Sequence, residues 1–157
     1  MTDVVVPDSS CLIALEQIGL LWLLPEVYPR VLVPAGVATE VRPTISEPRR
    51  WMTVVHVNAA EPPEEMTGVF GLGEREVIGL ALTIRASAVV LDDRDARRWA
   101  TGLGLPVVGT VGLLARARNA GHLSRLKPAL DQLRASRFFL SERLYRAALV
   151  EAGEAAP

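Results

Sequence analysis

Three short stretches of this chain are apolar at every position: Val4-Val5-Val6, Val31-Leu32-Val33 and Val89-Val90-Leu91. A strand with one face in water alternates apolar and polar residues. A run without alternation is covered on both faces, as happens inside a parallel sheet clothed by helices. Between these runs the apolar spacing stretches to the helical period, and Pro, Gly, Asp and Ser mark the changes. The order strand, helix, strand, helix predicts an α/β fold, with three layers α/β/α around a mostly parallel central sheet. A chain of 157 residues fits one domain, expected over residues 1–151, with 152–157 as a frayed tail. Hydrophobic residues make up 50% of the chain, yet no apolar run reaches the ~18 residues of a membrane span. The surplus therefore belongs in buried strands. Cys11 is the single cysteine, so no intramolecular disulfide can form, and no basic-then-apolar leader opens the sequence. The expectation is a cytoplasmic protein in which Cys11 is buried and structural rather than a catalytic thiol.

The first strand gives way to Pro7 and then to Asp8-Ser9-Ser10, all helix-capping residue types, ahead of a helix from about Cys11 to Ile18. Leu20 to Leu24 reads as a short helix closed by Pro25. Pro34 opens a helix that carries Glu40 and stops before Pro43. A polar linker follows from Thr44 to Arg50, then a third strand from Met52 to Val57 and a loop from Glu61 to Glu65. Gly71-Leu72-Gly73 leads into a helix from about Glu74 to Arg85, which feeds the Val89 strand. Beyond Asp92-Asp93 come a helix from Arg94 to Thr101, a short strand ending at Val108, and a helix behind Gly109-Thr110 that stops at Gly121. Leu126, Leu130 and Leu133 share one helical face, and Phe138 to Leu140 is extended. A last helix starts at Ser141-Glu142 with Leu144, Ala148 and Leu149 inward.

The placement of the acids is the informative part. Asp8 directly follows the first strand, Asp92 and Asp93 follow the strongest central strand, and Glu74 and Glu76 begin the helix that feeds it. Ligands of open parallel sheets bind outside the carboxyl ends of the strands, so Asp8 and the Asp92-Asp93 pair belong on one sheet edge. Each acid also has a plain structural use, as a helix cap or as a partner of a helix dipole. Gathered together they repel one another, and such a cluster persists when a cation neutralises it. Oxygen ligands without Cys or His suit Mg²⁺ or Mn²⁺ rather than zinc. His56 and His122, the two histidines, do not stand at a metal-ligand spacing.

Charge is unevenly spread. Through Gly79 the chain holds 11 Asp and Glu against 5 Arg; from Leu80 onward 11 Arg and 1 Lys face 7 acids. An acidic half beside a basic half suits a site that holds cations near a surface that holds phosphates, although solvated helix faces give the same count. Trp22, Trp51 and Trp99 read as core or interface anchors, with base stacking as a lesser option for Trp51 beside Arg49-Arg50.

The series Val-Pro-Asp8-Ser9-Ser10, Glu40 on a helix, Gly-Leu-Gly-Glu74-Arg-Glu76-Val-Ile-Gly-Leu-Ala-Leu, and Val-Val-Leu-Asp92-Asp93-Arg-Asp95-Ala-Arg-Arg resembles a PIN domain. It is most similar to the branch related to the VapC toxins of bacterial toxin–antitoxin pairs. Gly-Leu-Pro-Val-Val-Gly109-Thr110-Val-Gly-Leu-Leu-Ala resembles the same branch, and the resemblance runs from about Asp3 to Glu151. It implies an Mg²⁺- or Mn²⁺-dependent ribonuclease whose acidic quartet matches Asp8, Glu40, Glu74 and Asp93. Asp92 is the rival for the fourth place and Glu76 for the third. Glu74 stands where many relatives carry Asp. Ser10 matches a supporting hydroxyl. Arg94, Arg97 and Arg98, on the helix leaving the site, would meet phosphates of single-stranded or looped RNA; the structural reading pairs them with Asp95. The resemblance further implies a homodimer and a protein antitoxin as partners, for which the apolar Leu20–Leu24 stretch is suited. Two other readings compete: a non-catalytic PIN-like module that binds RNA or protein, and a receiver-like or nucleotide-binding domain. The second is weakened because Gly71-Leu72-Gly73 is too short for a dinucleotide fingerprint.

Overall fold

The computed structural model describes residues 3–57 and 71–154; the loop expected over Glu61–Glu65 lies outside them. Five strands form one sheet: β1 (Val4–Pro7), β2 (Arg30–Pro34), β3 (Met52–Val55), β4 (Ala88–Val90) and β5 (Val107–Val108). Their order is β3-β2-β1-β4-β5, and every pair is parallel. The helices are α1 (Ser9–Gln17), α2 (Leu23–Val27), α3 (Ala35–Glu40), α4 (Leu72–Ile84), α5 (Arg94–Gly102), α6 (Thr110–Asn119), α7 (Lys127–Ala135) and α8 (Glu142–Glu151). They complete a three-layer α/β/α arrangement in which α4 packs on β1, β2 and β4 while α1 and α2 meet α6. Val5, Val6, Val89 and Val90 are wholly buried between Leu12 and Leu15 of α1, Ile78 of α4 and Leu113 and Leu114 of α6, all equally buried. Complete burial explains why these strands carry no polar position.

The path of the chain places a crevice. From β1 it moves outward through β2 to β3, and α4 then returns it to the far side of β1, where β4 and β5 follow. The direction of travel reverses between β1 and β4, so the helices behind these strands diverge and leave a gap beyond their carboxyl ends. Both acid-bearing loops of interest leave the sheet there.

Several local expectations need correction. Pro25 does not close a helix but sits in the first turn of α2, where amides have no intrahelical acceptor and a missing N–H costs nothing. Leu21, Leu23 and Leu24 are buried in the protein's own core, which leaves Trp22, 48% exposed, as the outward anchor of that stretch. The third strand stops at Val55. On α8 the buried positions are Tyr145, Ala148 and Leu149, while Leu144 is 47% exposed. Beyond α8, the Glu154 carboxylate accepts the amides of Leu126 at 2.8 Å and Lys127 at 3.0 Å, and the rest of the expected tail, 155–157, lies outside the described residues. No helix among the described residues is long and apolar enough to cross a membrane.

Candidate functional site

β1 ends at Pro7, and the Asp8 amide still donates to the Val90 carbonyl at 3.0 Å, so the chain leaves the sheet beside β4. The Asp8 side chain turns back to cap α1, with Oδ1 accepting the Cys11 amide at 2.8 Å. The residue is 4% exposed. Across the gap, Asp92 accepts the Thr110 amide at 2.8 Å and the Thr110 hydroxyl at 2.5 Å, which ties the end of β4 to the start of α6. Burial, then the Asp92 charge, pushes Asp8 up to about 7; the Cys11 and Asp92 amides pull the other way, and Glu74 adds to the rise. Burial raises Asp92 as well, against the Thr110 bonds and the Arg97 charge. Two carboxylates thus sit at neighbouring strand ends in surroundings that resist ionisation of both. Cys11, fully buried beneath them, is driven far above its ordinary range by burial and by Asp8 and Asp92, which leaves it an inert thiol.

Glu74 joins from the first turn of α4. It is raised by burial, then by Asp93 and Glu40, and among the described residues its Oε2 is buried with no hydrogen-bond partner. Asp93 caps α5 through Oδ2, which accepts the Ala96 amide at 2.9 Å. Glu40 ends α3 and accepts the Ser9 hydroxyl at 3.0 Å. Glu74 therefore stands electrostatically between Asp8, Asp93 and Glu40. Glu76 turns elsewhere, with its Oε2 on the Gly36 amide at 3.0 Å. Ser10 is exposed, and the hydroxyl that reaches a site acid belongs to Ser9. Thr110, read from the sequence only as a helix start, is the buried hydroxyl of the site. Its position after Gly109 was visible; its partner, 18 residues upstream, was not.

The donor chemistry fits a hard divalent cation: carboxylate oxygens only, mutually repelling, one of them buried without a partner. In the conformations present, no three His, Cys, Asp or Glu side chains among the described residues converge closely enough to hold an ion. In these conformations Asp8, Asp92 and Asp93 each have an oxygen on a backbone amide.

A groove opens directly from Asp92. Arg94, Arg97 and Arg98 line it with Thr101, Gly102, Ser141 and Leu144. Arg97 is anchored, its Nη1 donating to the Leu91 carbonyl at 2.8 Å, while Arg94 and Arg98 are exposed. A more enclosed, largely apolar cavity of about 520 Å³ lies between α3 and the β2–β3 edge; it is lined by Arg42 and His56 but, among the described residues, by no acid. The sequence profile of the PIN domain matches residues 4–154. No curated protein matches the chain.

Proposed function

Since the chain belongs to the PIN domain family, whose members are generally nucleases, we propose that it is a divalent-metal-dependent endoribonuclease hydrolysing RNA phosphodiester bonds. We further propose that it is the toxin half of a toxin–antitoxin pair in the branch related to VapC. One observation carries the reading. The buried Asp8 faces Asp92 across adjacent strand ends, both resist ionisation, and an arginine-lined groove starts at the same point.

Asp8, Glu40, Glu74 and Asp93 are the residues assigned to hold Mg²⁺ or Mn²⁺. Glu74 brings an oxygen with no hydrogen-bond partner among the described residues, and Asp93 has an oxygen beyond the one used in its cap. Asp92, the rival of Asp93, has both oxygens on Thr110 and serves to hold the start of α6. A bound ion would activate a water and neutralise charge on the scissile phosphate. The protein's own contribution is to gather the acids, shield Asp8 from bulk water and orient substrate. Arg94 and Arg98 take RNA phosphates, with Arg97 fixed at the mouth of the groove. The groove is open and the acids lie at its end, an arrangement suited to a single-stranded or looped backbone. A cytoplasmic homodimer and a protein antitoxin complete the proposal, with Trp22 as the anchor available to either contact.

The test is cleavage of end-labelled single-stranded RNA with Mg²⁺, with Mn²⁺ and with chelator, for the wild type and Asp8→Asn. Discrete fragments that need metal and vanish in the variant are expected. Fragments that form equally in chelator, or equally with Asp8→Asn, would remove the proposal. The separation of the acids in their capped conformations favours a second reading, a non-catalytic module that binds RNA or protein. Calorimetry showing RNA binding without Mn²⁺ uptake is the result that selects it.

A further inference from the structure

Helices α3 and α4 meet through two glycines, each facing a carboxylate of the other helix. Gly36, in the first turn of α3, donates its amide to Glu76 Oε2 at 3.0 Å, and a Cβ there would stand 2.1 Å from that oxygen. Gly73, in the first turn of α4, lies under Glu40, and a Cβ there would stand 2.0 Å from Glu40 Oε1. The other oxygen of Glu40 holds the Ser9 hydroxyl at 3.0 Å. Neither glycine has a positive φ, so backbone conformation does not call for them, and glycine weakens a helix by about 1 kcal/mol relative to alanine. The carboxylate of the opposite helix fills the space each one leaves.

This reciprocal contact matters because α3 has 6 residues, far fewer than a helix needs to persist alone. Contacts with neighbours set its place, and with it the place of Glu40. Residues two apart on a helix face different ways, so Glu74 can look to the acids while Glu76 looks to α3.

We propose that Glu76 is a positioning residue: by accepting the Gly36 amide it sets α3 against α4 in the register that lays Glu40 on Gly73, beside Glu74. Its bearing on metal binding rests on the proposed function, whereas its bearing on where Glu40 stands does not.

The experiment compares Glu76→Ala, Glu76→Gln and Gly36→Ala by two readouts. One is the NMR signal of the Glu40 carboxyl and the Gly73 amide without metal; the other is Mn²⁺ titration by calorimetry. Glu76→Ala should shift both signals and weaken Mn²⁺ binding about tenfold, as loss of a group supporting a ligand does, with cleavage restored at saturating Mn²⁺. Glu76→Gln, whose amide oxygen still accepts, should behave as wild type in both readouts. Gly36→Ala, which keeps Glu76 but displaces its carboxylate, should reproduce the Glu40 shift even if Glu76→Ala fails to fold. An unmoved Glu40 signal in folded Glu76→Ala or Gly36→Ala overturns the proposal. So does a Glu76→Gln variant that loses Mn²⁺ as severely as Glu76→Ala, since Glu76 would then be a ligand itself. If the wild type takes up no Mn²⁺ while the Glu40 signal still moves, the metal-dependent reading falls and the positioning role stands.

Discussion

Glu154 and Asp8 are both carboxylates drawn out of water, and their surroundings drive them in opposite directions. At Glu154, whose side chain is 9% exposed, burial favours the proton, but the Leu126 and Lys127 amides, with Arg118 at 3.5 Å and Arg125 at 3.8 Å, outweigh it and hold the acid below its ordinary range. At Asp8 burial acts together with a second carboxylate, and the acid is pushed up to about 7. The C-terminal clamp is completed by the chain's own cations and amides. The charges that act on Asp8 are those of further acids, Asp92 and Glu74, and none of them compensates it. Burial alone therefore does not identify a functional carboxylate; the lack of an internal countercharge does.

The largest expected effect separates the two sites by function. Asn caps helices as well as Asp, so Asp8→Asn keeps the α1 cap while removing the charge. RNA cleavage should fall on the order of 10² to 10³-fold, while the metal-free protein gains about 2 kcal/mol in urea melts. An Asn variant as active as wild type would dissolve the contrast.

The pH response should distinguish them next. Asp8 is raised in the folded state, so between its ordinary value near 4 and about 7 the folded protein binds a proton that the unfolded chain releases. The stability of the metal-free protein must then fall as pH rises through that window, by up to about 4 kcal/mol. Glu74 and Asp92 act in the same sense. Mn²⁺ or Mg²⁺ should flatten the slope. Glu154, lowered in the folded state, contributes in the opposite sense: its stabilisation is present above its unfolded value and is lost as pH falls below it. Urea melts at pH 5 and pH 8, with and without metal, measure the Asp8 trend, and melts between pH 5 and pH 3 measure that of Glu154; a metal-free protein more stable at pH 8 than at pH 5 would break the comparison. At the clamp, Glu154→Ala should cost about 2 kcal/mol, from two amides left without their acceptor, with cleavage per folded molecule unchanged. The smallest effect belongs to the groove: Arg98→Ala should raise KM about threefold and make binding less steeply salt-dependent, with no change in melting.

The centre of the sheet was legible because β1, β4 and the middle of β2 are apolar throughout, and the acids at strand ends were legible because each follows such a run. What the sequence left open depends on rotation about helix axes. Glu74 and Glu76 both begin α4, and only packing against α3 decides which one meets Gly36. Asp92 and Asp93 differ by one residue, yet one bonds Thr110 and the other caps α5. On α8 hydropathy favours Leu144 inward. The structure buries Tyr145 instead, whose hydroxyl donates to Asp131 at 2.6 Å and whose ring receives Arg134 at 3.8 Å. Burial of a tyrosine with its polar end satisfied is beyond an apolar periodicity. The two helix glycines were the overlooked sign, since a glycine inside a helix marks a close neighbour.

The central strand comes first in the chain, and its partner β4 comes late: Val4 and Ser87, which are hydrogen-bonded at the start of that pairing, lie 83 residues apart. A ribosome thus releases Asp8 and Glu40 long before the wall that faces them. Until β4 has docked and Thr110 has emerged to hold Asp92, the growing polypeptide carries the acids without the crevice. Whatever reaction they support must wait until β4, α5 and the start of α6 have been made.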